Sequence, residues 1–160
     1  MLKLLLLLPS ILLSWTFTET DYQRLSPTQK SNLDIVYLVG EEKGHGLRLA
    51  AKAIVENMAR NTDNNPNHIC GILQVDVTLV KETCKQLESN VYIAARVGLE
   101  QFLDWKTKDT YVNGKLVTTE RTDDKATMMY NVGYTKDPFA KTHLKKVHIA
   151  EKVLRKHYAN

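Results

Sequence analysis

A chain of 160 residues has room for one compact domain with a real hydrophobic core, and hardly for two. Its 43% hydrophobic and 25% charged residues are ordinary for a soluble globular protein and exclude both a disordered chain and a multi-span membrane protein. The net charge of +4 favours polyanionic partners such as nucleic acid, anionic lipid or the acidic bacterial wall, without choosing among them.

The N-terminus departs from this soluble pattern. Leu4 to Leu8, then Ile11 to Leu13 and on to Phe17, follow Lys3 as a nearly uncharged apolar run interrupted by Pro9. At roughly fourteen residues it is too short for a transmembrane helix and suits a signal-peptide core. It reads as an export signal, or else as an uncleaved anchor or packed apolar tail, with membrane contact through residues 4–17 as the expectation. Thr18 onward is polar, so 1–26 reads as apolar segment plus linker and 27–160 as the domain.

Ser26-Pro27 is a helix-entry signal, and Leu33, Val36, Tyr37 and Gly40 give the first helix one apolar face. Gly44 and Gly46 break the chain. Leu47, Ala50, Ile54 and Met58 recur at helical spacing, so Leu47 to Ala59 is the second helix. Arg60 to Asn67 has loop chemistry, and Cys70 to Val80 is apolar, suited to a short strand or a turn. Ser89-Asn90 starts a helix bearing Ala94, Ala95 and Gly98, small residues that would admit a second helix closely. Thr110-Tyr111-Val112, Asn113-Gly114 and Lys115-Leu116-Val117 form a hairpin signal, because Asn-Gly supplies both positive-φ positions of a type I′ turn. Asp124 is a candidate cap for a short helix from Lys125 to about Asn131, stopped by Gly133. A last helix from about Thr142 to Tyr158 turns Leu144, Val147, Ala150, Leu154 and Tyr158 inward. Helices dominate, with one small β element inserted.

Cys70 and Cys84 are too few for a disulfide framework and read as two buried free thiols, a disulfide being the alternative for a chain working outside the cytoplasm. His68-Ile69-Cys70 lacks two further ligands at zinc spacing, so no metal is expected. The basic residues of the last helix, among them Lys141, Lys145, Lys152 and Arg155, read as a solvated face, and no nucleic acid is expected as a partner.

Three motifs carry chemistry. Ala50-Ala51-Lys52-Ala53-Ile54-Val55-Glu56-Asn57 is an apolar helix ending in an acid, and Glu56 is the one carboxylate between Gly44 and Thr62. Desolvation there would raise its pKa and keep it protonated near neutrality, as glycosidic bond cleavage requires. Gly71-Ile72-Leu73-Gln74-Val75 places one amide among apolar residues, suited to a sugar-binding cleft. Met128-Met129-Tyr130-Asn131-Val132-Gly133-Tyr134 offers a flat stacking face, a hydroxyl and an amide.

Glu56, Gly71-Ile72-Leu73-Gln74, Asn90-Val91 and Tyr130-Asn131-Val132-Gly133 match in order the motifs of the soluble-lytic-transglycosylase family, whose pattern runs Glu-Ser, Gly-Leu-Met-Gln, Asn-Ile and Ala-Tyr-Asn-x-Gly. The chain resembles that family from about Asp34 to Tyr158, and small phage-encoded members especially. Asn57 stands where the family has serine, Met129 replaces alanine, and the Tyr111–Val117 hairpin is an insertion. A second resemblance, from Val39-Gly40-Glu41-Glu42 to Asn57 and Arg60, is to spore-cortex-lytic wall hydrolases, with Glu41 or Glu42 as the acid.

The first resemblance implies a lysozyme-like α+β fold, mainly α, with a cleft between a helical lobe and the hairpin. It implies Glu56 as catalytic acid/base, Gln74, Tyr130 and Asn131 as substrate-binding residues, and Asn57, Gly71, Asn90 and Gly133 in support. It implies cleavage of peptidoglycan strands to 1,6-anhydro ends without metal or organic cofactor, in the periplasm or envelope of a bacterial host, with virion proteins as further partners if a phage carries the enzyme. Asp63 and Asp76 are the nearby candidates for a second carboxylate. The alternatives are a lysozyme-type hydrolase and an inactive wall-binding virion protein.

Overall fold

The computed structural model describes residues 15–62, 68–133 and 136–158. The apolar run at 4–14, Asp63 and Tyr134 lie outside the described residues. The described chain is α+β and mainly α, with helices α1 (Glu19–Arg24), α2 (Pro27–Glu41), α3 (Gly46–Asn57), α4 (Cys84–Ser89), α5 (Val91–Lys106), α6 (Asp123–Val132) and α7 (Pro138–Tyr158). Two antiparallel pairs complete it: β1 (Ile69–Cys70) with β2 (Val75–Asp76), and β3 (Thr107–Val112) with β4 (Lys115–Glu120).

The polar stretch before Ser26 is not a linker. Thr18 and Asp21 close a capping box that starts α1, because each supplies the partner that the other's backbone N–H lacks. Phe17 and Leu25, on either side of it, are buried in the core. Tyr22 stacks on His157 at 3.7 Å between ring centroids, and His157 Nε2 lies 2.8 Å from Glu19 Oε1, so α1 is fastened to the end of α7. A chain begun at Ser26 would lose both apolar anchors. Phe17, read as the tail of a membrane-contacting run, is taken up by the core instead. Among the described residues no helix is long and apolar enough to cross a membrane.

Helix α3 is the axis of the domain, buried nearly all round from Arg48 to Ile54 between α2 and α7. Its start follows a close approach, since a Cβ on Gly40 would meet Gly46 Cα at 2.8 Å. Glu41 Oε1 accepts the Gly46 N–H at 3.0 Å and stands in for the side-chain cap that His45 does not provide. Its end is sharp: Met58 and Ala59 both have positive φ, and their N–H groups return to the Ile54 and Ala53 carbonyls. The chain therefore turns away directly after Glu56-Asn57.

Several sequence expectations are corrected. Cys70 and Cys84 are not free thiols but a disulfide, with Cα atoms 5.3 Å apart, linking β1 to the first turn of α4. Their spacing of 14 residues could not reveal that proximity, which the β1–β2 turn creates. The pairing also takes both thiols out of any metal reading. Thr122, not Asp124, caps α6, its hydroxyl accepting the Lys125 N–H. Gly98 and Ala94 of α5 receive the Gly71–Leu73 turn: a Cβ on Gly98 would collide with the Leu73 side chain, and one on Gly71 would press on Ala94 Cβ at 3.2 Å.

The Asn113-Gly114 hairpin forms as its turn chemistry requires, with both residues at positive φ and Val112 paired to Lys115. It extends three residues beyond the predicted strands at each end, to Thr107↔Glu120, and every residue of both strands is exposed.

Candidate active site

A cavity of about 490 Å³ opens beside the C-terminal end of α3. Its walls bring together Glu56, Gln74, Tyr130, Asn131 and Gly133, residues from three separate segments. Asp76, Gln101 and Trp105 are among the other lining residues. None of the lining residues belongs to β3 or β4, so the β part of the wall is the short β1–β2 unit and not the exposed hairpin expected there.

Glu56 sits in the last turn of α3 with its side chain only 14% exposed. Lys52, one turn earlier and without accessible surface, places Nζ 3.2 Å from Glu56 Oε1 and 3.9 Å over the Tyr130 ring centroid. Burial pulls the Lys52 ammonium below its usual range, opposed by the attraction of Glu56. His143, from α7, brings Nε2 to 3.3 Å from the same oxygen. Burial holds His143 down at about 4, against the pull of Glu56, so the imidazole is neutral near pH 7.

The Gly71–Gln74 turn supplies the opposite wall. Gly71 has φ 75°, a conformation that favours glycine. Gln74 also has positive φ, and its Nε2 donates to the Gly71 carbonyl at 2.8 Å. That bond folds the amide back on its own turn and leaves Oε1 as the group to meet a ligand. Ile72 and Leu73 are fully buried between these residues and anchor the turn.

Tyr130 lines the cavity and also ties its walls together. Its hydroxyl donates to the Leu73 carbonyl at 3.1 Å, and its ring face is occupied by Lys52. Burial raises its phenol well above the ordinary range, so it stays a neutral donor. Tyr130 thus fastens α6 to the Gly71–Gln74 turn. Asn131 Nδ2 lies 3.4 Å from His143 Nδ1, and Gly133 ends α6 in the left-handed conformation.

No family model, no curated protein and no solved structure matches this chain.

The supporting residues act on the backbone. Asn57 Nδ2 donates to the carbonyls of Arg60 and Thr62, at 3.0 and 3.1 Å, and holds the chain leaving α3. Asn90 caps α5 by accepting the Tyr92 and Ile93 N–H groups. Glu41 caps α3, and Glu42 pairs with Arg96; neither lines this cavity. Asp76 does line it, with Oδ1 accepting from the Thr78 backbone and hydroxyl.

Sequence reasoning missed Lys52 and His143. A signal existed for each. Lys52 interrupts an alanine-rich helix four residues before the acid, where a solvated lysine has no place. His143 stands four residues before Val147, on the inward stripe of the last helix.

Proposed function

We propose that this protein is a peptidoglycan lytic transglycosylase of lysozyme-like fold, with Glu56 as its acid/base. The observation that carries this reading is the convergence of Glu56, Gln74, Tyr130, Asn131 and Gly133 on one cavity across 77 positions of sequence. The Glu56 carboxyl at the wall of a partly apolar cleft, with the Gln74 amide opposite, suits protonation of a glycosidic oxygen.

In this reading Glu56 gives its proton to the oxygen joining N-acetylmuramic acid C1 to N-acetylglucosamine C4, and the C1–O bond breaks. The resulting carboxylate takes the proton of the muramoyl C6 hydroxyl while O6 bonds to C1, closing a 1,6-anhydro ring. The nucleophile is already part of the substrate, so its effective concentration is high and neither a positioned water nor a second carboxylate is needed. Gln74 and Asn131 orient the sugar. Tyr130 keeps the two walls together.

Asp76 at the same cavity favours one second reading, a lysozyme-type hydrolase in which it activates water. The Cys70–Cys84 disulfide supports work in an oxidising compartment, in keeping with the periplasm or envelope of a bacterial host. A phage-encoded enzyme, used for host lysis or carried in the virion for wall penetration, fits the resemblance.

The test is Glu56→Gln in dye release from purified murein. Removing the proton while keeping the shape should lower cleavage at least about 10²–10⁴-fold with the circular dichroism spectrum retained. Activity within a few-fold of wild type would move the acid elsewhere, with Asp76 first in line.

A further inference from the structure

Among the described residues, both contacts that Glu56 makes with charged or ring nitrogens fall on one oxygen. Lys52 Nζ reaches Oε1 from within α3, and His143 Nε2 reaches it from α7. The tautomer of His143 follows from its other nitrogen. Asn131 Nδ2 is a donor only, so Nδ1 at 3.4 Å accepts, and the single proton of a neutral imidazole is on Nε2. Nε2 is buried beside Glu56 and makes no hydrogen bond among the described residues. It lies 3.3 Å from Oε1, within hydrogen-bond distance, and a buried donor left unmade costs about 1–3 kcal/mol. Contacts of this kind tighten when a ligand fills the site.

We propose that His143 is a positioning residue for Glu56: with its tautomer set by Asn131, it and Lys52 together hold Oε1, so that the transferable proton is carried on Oε2. A carboxyl oxygen that accepts from two donors is the poorer place for a third hydrogen, which leaves the other oxygen to face the substrate. The proposal rests on Glu56 being the acid/base. It gives Asn131 a role beyond contact with sugar, since Asn131 reads the cavity on one side and orients the imidazole on the other. The groups facing His143 are Glu56 and Lys52 from α3, Asn131 from α6 and Lys146 on its own helix.

Two measurements on the full chain decide it. Histidine-selective ¹⁵N labelling with two-bond ¹H–¹⁵N correlation reads the tautomer without any need for activity, His143→Gln supplying the assignment. Wild type should show a neutral Nε2–H imidazole at pH 7, and Glu56→Gln should shift its nitrogen resonances. An Nδ1–H form, or an imidazolium at that pH, overturns the proposal. On purified murein, His143→Phe should lower kcat about tenfold or more with KM within about twofold, and His143→Gln, which restores an N–H donor, should recover most of it. Equal loss in both variants means a packing role only and also overturns it. If wild type shows the Nε2–H form yet leaves murein intact, the transglycosylase reading falls while the tautomer assignment stands.

Discussion

Helix α3 buries two cations one turn apart, and they are treated in opposite ways. Arg48 meets Glu151 through Nε and Nη2, Asp124 through Nη1, and the Thr127 hydroxyl as well. Its donors face carboxylates from α6 and α7, and Arg48 is not among the residues lining the cavity. Lys52 has one carboxylate, Glu56, one aromatic face, and a neutral imidazole across the shared oxygen. The first arrangement locks three helices together. The second, among the described residues, leaves one oxygen of the Glu56 carboxylate uncommitted beside a cavity. A buried cation marks structure where its partners are saturated, and chemistry where its partner still has something to give.

Mutating the cations should separate them. Arg48→Met leaves Glu151, whose side chain is 15% exposed, with His148 Nδ1 at 3.2 Å as its remaining contact among the described residues, and removal of the main partner of a buried pair costs about 3 kcal/mol. Urea titration should show that loss, while cleavage per folded molecule stays near wild type. Lys52→Met should do the reverse, with stability changing by less than about 2 kcal/mol and murein cleavage falling at least about tenfold. Glu56 escapes the penalty because it borders a cavity that admits water. Equal profiles for the two variants would erase the distinction.

A pH titration of stability comes next in size. His143 is held at about 4 in the fold and titrates near 6.5 when unfolded, so between those values the unfolded chain binds the extra proton. Its contribution is complete above pH 6.5 and is lost as pH falls toward 4, by about 3 kcal/mol in total. His143→Phe should flatten that slope in denaturant titrations made across the window. An unchanged slope would show that the imidazole is not held neutral.

The smallest effect belongs to Tyr130→Phe. It removes the hydroxyl bond to Leu73 but keeps the ring under Lys52, at a cost of about 1 kcal/mol. Cleavage should fall only a few-fold. A loss as large as that of Glu56→Gln would mean that the hydroxyl meets the substrate directly.

What the sequence made legible follows from how local each cause is. Asn113-Gly114 specifies its own turn, and Ser26-Pro27 specifies its own helix start, so those elements are found where their residues put them. The residues of the candidate site are legible in part because Glu56 and Gln74 stand out against apolar neighbours. The Cys70–Cys84 bond is not legible, since it depends on where the β1–β2 turn carries the chain. The α1 segment misleads for the opposite reason: its polar surface hides the two anchors, Phe17 and Leu25, that bind it to the core. Lys52 and His143 escape notice because lysine and histidine are ordinarily solvated; Lys52 meets Glu56 within α3, and the packing of α3 against α7 brings His143 to the same carboxylate oxygen.

The chemical nature of the product tests the central claim most directly. A transglycosylase closes the ring on the substrate's own hydroxyl, whereas a hydrolase adds water and needs a second carboxylate as base or nucleophile. Mass spectrometry of purified murein digested by the wild-type chain should therefore show 1,6-anhydro-muramoyl ends, lighter by one water than hydrolysed ends and resistant to borohydride reduction. Finding only reducible ends would leave wall cleavage standing, contradict the transglycosylase assignment, and turn attention to Asp76 across the cavity.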